Sequence, residues 1–304
     1  MENSILIVGS GAMASLFSAR LAASGVRVTL LGSWRAGLEA LRKHGVRITN
    51  GNGQVSTFPL DVIEDLNDCA GIEHALVLVK SWQTQRAARQ LEECLPAEGL
   101  ALTLQNGLRN RQVLEHDLGP ARVALGVTTT GATLLEPGLV RPVGDGSVTL
   151  GVHHRIEPVA EMLQDAGFRI EMVENTDTLV WGKLVINAAI NPLTALLRIK
   201  NGELLARPDS RALMGSTARE AAAVAESQGI RLPYLDPVRA AESVAERTAA
   251  NTSSMLSDTL RGTPTEIDSI SGAIVRAGEE NHVPTPVNRT LWQLVRAATY
   301  VSIP

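Results

Sequence analysis

Three polar residues in one apolar stretch could serve in catalysis. Lys183, Asn187 and Asn191 are spaced by four residues, so they share one face of a predicted helix. A lysine whose pKa is lowered by burial can protonate the oxygen of a ketone that accepts a hydride. Asparagine amides can orient a hydroxy acid without adding charge. The stretch therefore suggests a polar cleft for ketone reduction, although its spacing fits a solvated stripe on an amphipathic helix equally well.

Two later polar segments could complete such a cleft. Ser254 could bind a carboxylate, and Glu266 could accept a hydrogen bond from a substrate hydroxyl or from Lys183. The spacing alone favours structural roles for both segments. Ser253 and Ser254 fit a helix cap, and Glu266 fits the first turn of a helix predicted over 264–281.

The N-terminal segment has the G-x-G-x-x-A pattern of a dinucleotide-binding loop. It follows a predicted strand over 5–8 and opens a predicted helix over 12–24, which is the context that this pattern requires. The first glycine permits the tight turn, the second lets a pyrophosphate approach the backbone, and the small final residue allows close packing of helix on strand. The helix N-terminus adds N–H groups for the phosphates. The predicted phosphate contacts are Gly9, Ser10, Gly11, Ala12, Met13 and Ala14.

The residues after the second predicted strand, 26–31, indicate which dinucleotide is bound. Proteins that bind NAD usually carry an acid there for the ribose 2′-hydroxyl. This chain has Ser33 and Arg35 instead, and its first acid beyond the strand is Glu39. A guanidinium is suited to a 2′-phosphate. We therefore expect NADPH as the cofactor, with Arg35 as an ordinary surface arginine being the alternative.

Strand and helix patterns divide the chain into two domains. Buried strands alternate with helices in the first half, which predicts a parallel sheet, and strand signals nearly vanish after residue 174. We predict an α/β protein, with an N-terminal Rossmann domain carrying a mixed sheet extension over 1–174 and an all-helical substrate-binding domain over 175–304. The other predicted elements are strands at 74–79 and 100–104, β segments over 45–62 and 122–152, the latter antiparallel, and helices at 83–94, 178–197, 210–228 and 286–298.

The composition excludes several classes of protein. The 304 residues are 44% hydrophobic and 20% charged, with a net charge of −4, so disorder and a strongly basic nucleic-acid surface are not indicated. Cys69 and Cys94 are the only cysteines, and their spacing suggests neither a zinc site nor a disulfide framework. We expect a cytoplasmic enzyme with no metal and no nucleic-acid or membrane partner, and we allow for a homodimer.

Taken together, the motifs resemble the ketopantoate reductase (2-dehydropantoate 2-reductase) family along nearly the whole chain. No one of the later motifs is explained by a Rossmann loop. In order they are Gly9-x-Gly11, Lys80-Ser81-Trp82-Gln83, Gln105-Asn106-Gly107, Lys183-x3-Asn187-x3-Asn191-Pro192-Leu193-Thr194, Asn201-Gly202-Glu203-Leu204, Asn251-x-Ser253-Ser254-Met255-Leu256 and Thr265-Glu266-Ile267-Asp268.

The resemblance implies reduction of 2-dehydropantoate to pantoate by NADPH, a step in pantothenate and coenzyme A biosynthesis. It implies that Lys183 is the general acid and that Glu266 contacts substrate and positions this lysine. It places Lys80 and Asn106 at strand ends beside the nicotinamide. The substrate-binding residues that it implies are Asn106, Lys183, Asn187, Asn191, Asn201, Asn251, Ser254 and Glu266.

Two alternatives follow from the same motifs. The first is a reductase of the same family acting on another branched 2-oxo acid. The second is a non-catalytic NADP(H)-binding regulator, which would be expected to lose the proton donor or its acidic partner. Lys183 and Glu266 are both present, so the enzyme is favoured.

Overall fold

The computed structural model describes residues 3–64, 66–69, 71–144 and 146–299. The described residues fall into two compact units. Those of the first unit fall within 1–105 and 109–176, and those of the second fall within 106–108 and 177–304. Three residues from the first half of the sequence thus belong with the second unit.

The first unit alternates strands with helices, as the sequence predicts for an α/β domain. Its helices are α1 (Ala12–Ala23), α2 (Arg35–His44), α3 (Thr84–Cys94), α4 (Asn110–Leu118) and α5 (Glu157–Asp165). Its strands are β1 (Ser4–Val8), β2 (Arg27–Leu31), β3 (Val46–Thr49), β4 (Val55–Phe58), β5 (Asp61–Ile63), β6 (His74–Val77), β7 (Leu100–Thr103), β8 (Val123–Thr128), β9 (Gly131–Glu136), β10 (Leu139–Val143), β11 (Ser147–Gly151) and β12 (Arg169–Val173).

Within the described residues, eight strands form one sheet in the order β12-β11-β8-β7-β6-β1-β2-β5. The strands from β8 to β5 in this order are parallel, and β11 joins β8 antiparallel. The central strand β1 is buried on both faces. Ile5 and Ile7 pack with α1 and α5 on one side, while Leu6 and Val8 pack with α3 and α4 on the other. Such continuous burial explains the unbroken apolar run in the sequence.

The predicted mixed extension is divided between two sheets. The hairpin of β3 and β4 and the hairpin of β9 and β10 form a four-stranded sheet of their own, joined by parallel pairing of β10 with β3. In contrast, β5, β8 and β11 extend the main sheet. The segment 122–152, which we predicted to be an antiparallel extension, therefore begins with a strand parallel to its neighbour β7.

The second unit is helical. Its helices are α6 (Thr176–Leu197), α7 (Pro208–Ser227), α8 (Pro237–Arg247), α9 (Ser254–Leu260), α10 (Ser271–Glu280) and α11 (Pro286–Ala298), with a short 3₁₀ helix at Asn201–Leu204. By length and composition α6 could cross a membrane, but 67% of its most apolar window is buried inside the protein. This burial is typical of a core helix. Its apolar residues lie in one cluster with those of α7, α8, α10 and α11.

One predicted helix begins later than the sequence indicates. The helix expected over 264–281 starts only at Ser271, and a turn occupies the residues before it. Ile270 has φ of −102° and ψ of −93°, which lie outside the helical region. The N–H of Gly272 therefore bonds to the carbonyl of Ile267 instead of making the regular helical bond to Asp268. The interpretation of Glu266 as a first-turn acid is therefore wrong.

Candidate functional site

The glycine loop between β1 and α1 has the geometry that its spacing predicts. The N–H of Gly9 donates to the carbonyl of Leu31 at 2.8 Å. Gly9 has φ of +130°, and a Cβ there would lie 3.1 Å from the Leu78 backbone. A side chain is therefore excluded by conformation and by space. The methyl group of Ala14 is fully buried against the sheet.

The start of α1 leaves room for a bound phosphate. A Cβ built on Gly11 would meet no heavy atom within 4 Å, so the space beside this backbone is open. The first N–H groups of a helix have no intrahelical acceptor and carry partial positive charge. Residues 9–14 thus fit a pyrophosphate, because the loop offers donors and lacks the one side chain that would block them.

The predicted 2′-phosphate contacts lie just beyond β2. Arg35 begins α2, and its side chain is 91% exposed and pairs with Glu39 through a 2.8 Å bond from Nε. Ser33 Oγ lies 3.5 Å from the side-chain nitrogen of Gln83. Gln83 is a further polar group at this position that is absent from the predicted cofactor contacts. Its signal in the sequence is its place three residues after Lys80 in the motif that follows β6.

Lys80 and Asn106 follow neighbouring parallel strands but belong to different units. Lys80 lies in the first unit, where its N–H donates to the side chain of Gln83 at 3.3 Å. Asn106 lies in the second unit with the two residues after it. There the N–H of Leu108 donates to the carbonyl of Ser269 at 3.1 Å. The segment 106–108, which follows β7 in the sequence, therefore belongs to the same unit as Glu266.

The polar stripe on α6 is partly buried at two positions and buried at the third, so it is not a fully solvated face. Lys183 and Asn187 are partly buried, and Asn191 is only 6% exposed. Burial lowers the pKa of the Lys183 ammonium to about 8, while the negative charge of Glu266 opposes this effect. Glu266 is itself 6% exposed. The lysine therefore holds a proton that it can release near neutral pH, beside a carboxylate that stabilises its charged form.

A tight turn holds Glu266. Its carbonyl accepts hydrogen bonds from the N–H of Ser269, the N–H of Ile270 and the hydroxyl of Ser269, all at 3.0 to 3.1 Å. The carbonyl of Ser269 in turn accepts from Leu108. The turn therefore links the segment carrying Asn106 to the acid that acts on Lys183.

The segment 248–254 presents two predicted substrate contacts. Ser253 is the N-cap of α9, with its Oγ accepting from the N–H of Leu256 at 3.1 Å. The capping interpretation therefore holds for Ser253. Ser254, the next residue, begins α9 and is exposed. Asn251 is partly buried, and its carbonyl accepts from the N–H of Asn201 at 3.1 Å.

Asn201 is hydrogen-bonded to this segment. Its side chain is buried, and its amide nitrogen donates to Thr248 Oγ1 at 2.9 Å. The N–H of Gly202 also donates to the carbonyl of Ala249 at 3.2 Å. The contacts of Asn201 in the structure are thus with the backbone and side chains of 248–251.

The second unit collects predicted site residues from several segments. These are the 106–108 segment, α6, the 3₁₀ helix at Asn201–Leu204, the 248–254 segment and the turn at Glu266. Among the described residues, no cluster of three or more His, Cys, Asp or Glu side chains could hold a metal ion. The groups present are a proton donor, a carboxylate, amides and a hydroxyl. Together they suit a site that binds a small polar acid and transfers a proton to one of its oxygen atoms.

Two family models match the chain. The one described as "Ketopantoate reductase PanE/ApbA" covers residues 5–155, and the one described as "Ketopantoate reductase PanE/ApbA C terminal" covers residues 175–299. Among curated relatives, the 2-dehydropantoate 2-reductase of Archaeoglobus fulgidus is 38% identical over 96% of this chain and 96% of its own. That of Halobacterium salinarum is 35% identical over 97% and 98%, respectively.

Solved structures show the same fold. A PanE/ApbA family ketopantoate reductase from Ralstonia eutropha superposes with a TM-score of 0.90 at 30% identity, covering 97% of this chain and 98% of its own. The ternary structure of a D-mandelate dehydrogenase with NADH and anilino(oxo)acetate also gives a TM-score of 0.90, at 26% identity and the same coverage. The predicted fold class, a Rossmann domain followed by a helical domain, is confirmed.

Proposed function

The chain belongs to the ketopantoate reductase family, and on this premise we propose that it reduces 2-dehydropantoate to pantoate with NADPH. It is an oxidoreductase that uses a nicotinamide dinucleotide. The observation that carries the proposal is Lys183, whose pKa is lowered to about 8 by burial beside Glu266. A non-catalytic regulator would have no need for such a group.

The first unit binds the cofactor. Residues 9–14 hold the pyrophosphate at the N-terminus of α1, and the open space at Gly11 supports this role. Arg35 exchanges its exposed partner Glu39 for the 2′-phosphate, because a bond to a dianion is stronger than a solvated surface ion pair. Ser33 and the amide of Gln83 add neutral donors beside it. Lys80 contributes to the nicotinamide end of the same site.

The second unit binds the oxo acid and supplies the proton. When bound, the reduced nicotinamide supplies a hydride with its electron pair to the C2 carbon of the substrate. Lys183 Nζ donates its proton to the C2 oxygen, and the product is a 2-hydroxy acid. Before that transfer, the ammonium charge stabilises the negative charge that develops on this oxygen.

The remaining predicted contacts orient the substrate. Glu266 holds Lys183 in its charged form and accepts from a substrate hydroxyl. Asn106 lies at the reacting end, where its segment contacts the turn that carries Glu266. The hydroxyl and amide groups that bind the carboxylate and the distal hydroxyl are those of Asn187, Asn191, Asn251 and Ser254, with Asn201 supporting them.

A second candidate substrate is an aryl-substituted 2-oxo acid. It is favoured by one observation, the TM-score of 0.90 to a D-mandelate dehydrogenase bound to anilino(oxo)acetate. The two candidates share the same hydride and proton transfer and differ only in the group that C2 carries beside the carboxylate, which is a branched alkyl group in one and an aryl group in the other. In either case we propose a cytoplasmic enzyme, and reduction of 2-dehydropantoate places it in pantothenate and coenzyme A biosynthesis.

One assay tests the proposal. NADPH or NADH oxidation is followed by absorbance with 2-dehydropantoate, 2-oxoisovalerate and benzoylformate. We expect the highest kcat/KM with 2-dehydropantoate and NADPH. A higher value with benzoylformate would establish the second candidate, and no turnover of any 2-oxo acid would refute the reductase.

A further inference from the structure

A buried chain of hydroxyl groups joins α6 to the first turn of α9. Thr194 Oγ1 lies 2.7 Å from Ser253 Oγ, and it also lies 3.0 Å from the carbonyls of Ile190 and Asn191. Ser253 Oγ accepts from the N–H of Leu256 at 3.1 Å. Thr194 is fully buried and Ser253 nearly so. The local sequence pattern indicates only a capping role for Ser253 and no role for Thr194.

The donors of this chain can be assigned from the acceptors. One arrangement gives both hydroxyl protons an acceptor within this group. Thr194 donates to the carbonyls of Ile190 and Asn191, which can only accept, and Ser253 donates to Thr194 Oγ1. Every hydroxyl proton then has an acceptor, and each bond polarises the next one. A buried pair of this kind is costly to break, because the partner that remains loses its hydrogen bond without gaining water.

The link acts where α6 is intrinsically weak. Pro192 lies inside the helix and has no N–H, so the carbonyl of Ala188 lacks its regular helical donor. Within the same turn of the helix, the side chain of Thr194 bonds to the carbonyls of Ile190 and Asn191. The hydroxyl link therefore fixes the backbone of Asn191 just where the helix is most easily distorted.

The same link also fixes the segment 251–254. Asn251 is anchored through its carbonyl to Asn201, and Ser253 is anchored through its side chain to Thr194. Ser254 follows the second anchor as the first residue of α9 and is exposed. Because the neighbouring Ser253 is bonded to Thr194, the backbone at Ser254 has little freedom to shift relative to α6.

We propose that Thr194 and Ser253 are a positioning pair that fixes Asn191 and Ser254 for binding of the 2-oxo acid. The pair does not touch substrate, and the inference rests on the proposed function of these two contacts. Productive orientation depends on distances between groups held by separate elements, and small displacements are expensive. Removing the link lets Asn191 and Ser254 move independently, which weakens substrate binding while the cofactor loop in the first unit is unaffected.

The test compares hydroxyl-free and hydroxyl-retaining variants. Thr194→Val and Ser253→Ala remove the link, and Thr194→Ser retains it. Each of the first two should raise the KM of the preferred oxo acid about tenfold, the effect of about one lost hydrogen bond. The Kd of NADPH should stay within about twofold of the wild-type value. Thr194→Ser should have the KM of the wild type. The KM of the double variant should be no higher than that of the single variant with the higher KM, because the two substitutions break the same link.

A matched control separates positioning from general destabilisation. Thr217 in α7 is fully buried and donates to the carbonyl of Leu213 at 2.7 Å, so Thr217→Val deletes the same kind of bond without a Ser partner. It should lower Tm without raising KM. Equal KM changes in Thr217→Val and Thr194→Val, or additive changes in the double variant, would overturn the inference. If the wild type reduces no oxo acid, the proposed function fails and this inference fails with it. If the wild type reduces an oxo acid and the KM of Thr194→Val and Ser253→Ala is unchanged, the positioning pair is refuted and the proposed function stands.

Discussion

The proton held by Lys183 predicts how catalysis depends on pH. Burial lowers the pKa of this ammonium to about 8, from an ordinary value of 10.5. A general acid must be protonated to act, so activity should be present below this pKa and be lost as pH rises through it. An exposed lysine would keep its proton to well above pH 9.

The size of the effect follows from the fraction protonated. With a pKa of about 8, about nine-tenths of the molecules hold the proton at pH 7 and about one-tenth hold it at pH 9. The kcat/KM of the free enzyme should therefore fall by nearly tenfold between these values. Lys183→Ala should lower kcat by on the order of 10²–10⁴-fold, the usual contribution of a general acid, and should abolish this alkaline limb.

The assay is initial-rate NADPH oxidation with the preferred oxo acid, at constant ionic strength and across the range from neutral to alkaline pH. NADPH affinity, measured by titration, should change far less, because the cofactor loop lies in the other unit. Lys200→Ala, which removes an exposed lysine of the same unit, is the control and should leave the profile intact. A flat wild-type profile to about pH 10, or the same alkaline limb in Lys183→Ala, would refute the assignment.

Three other substitutions test the site. Glu266→Gln removes the charge that raises the pKa of the lysine, so the alkaline limb should move to lower pH by about one pH unit; Glu246→Gln on an exposed surface should not move it. Arg35→Ala should weaken NADPH binding at least about tenfold and leave NADH binding nearly unchanged, whereas Arg42→Ala, which breaks a similar ion pair to Glu64, should affect neither; equal losses for both cofactors would contradict the 2′-phosphate role. Gly11→Ala should preserve Tm, since no heavy atom lies within 4 Å of the added Cβ, but should lower NADPH affinity at least about tenfold. Thermal unfolding and cofactor titration check this, and an unchanged NADPH affinity would contradict the role of the loop.

Local pattern was sufficient for much of this protein. The G-x-G-x-x-A spacing identified the loop between β1 and α1. The tight turn, the approach of a phosphate to the backbone and the start of the helix all depend on residue types within these six positions. The four-residue spacing of Lys183, Asn187 and Asn191 placed them on one helix face, and the structure has them in α6. The family resemblance then joined these segments into one expected activity, which neither spacing alone could do.

The tertiary structure alone decided how the distant segments meet. Sequence signals placed Glu266 in a helix, but the backbone of Ile270 lies outside the helical region and α10 begins only at Ser271. The stripe on α6 was equally consistent with a solvated face until its burial, and the lowered pKa of Lys183, were known.

Contacts across long sequence separations explain the rest. Ser253 is the helix cap that the sequence pattern allows. Its bond to Thr194, however, joins residues 59 positions apart, and no local pattern encodes that pairing. Asn106 follows a strand of the first unit, yet its segment packs with the turn at Ser269 in the second. Periodicity and capping act within a few residues along the chain, so the sequence by itself determined the elements and their chemical groups. Which of those groups are buried together depends on long-range packing, and only the folded structure decided it.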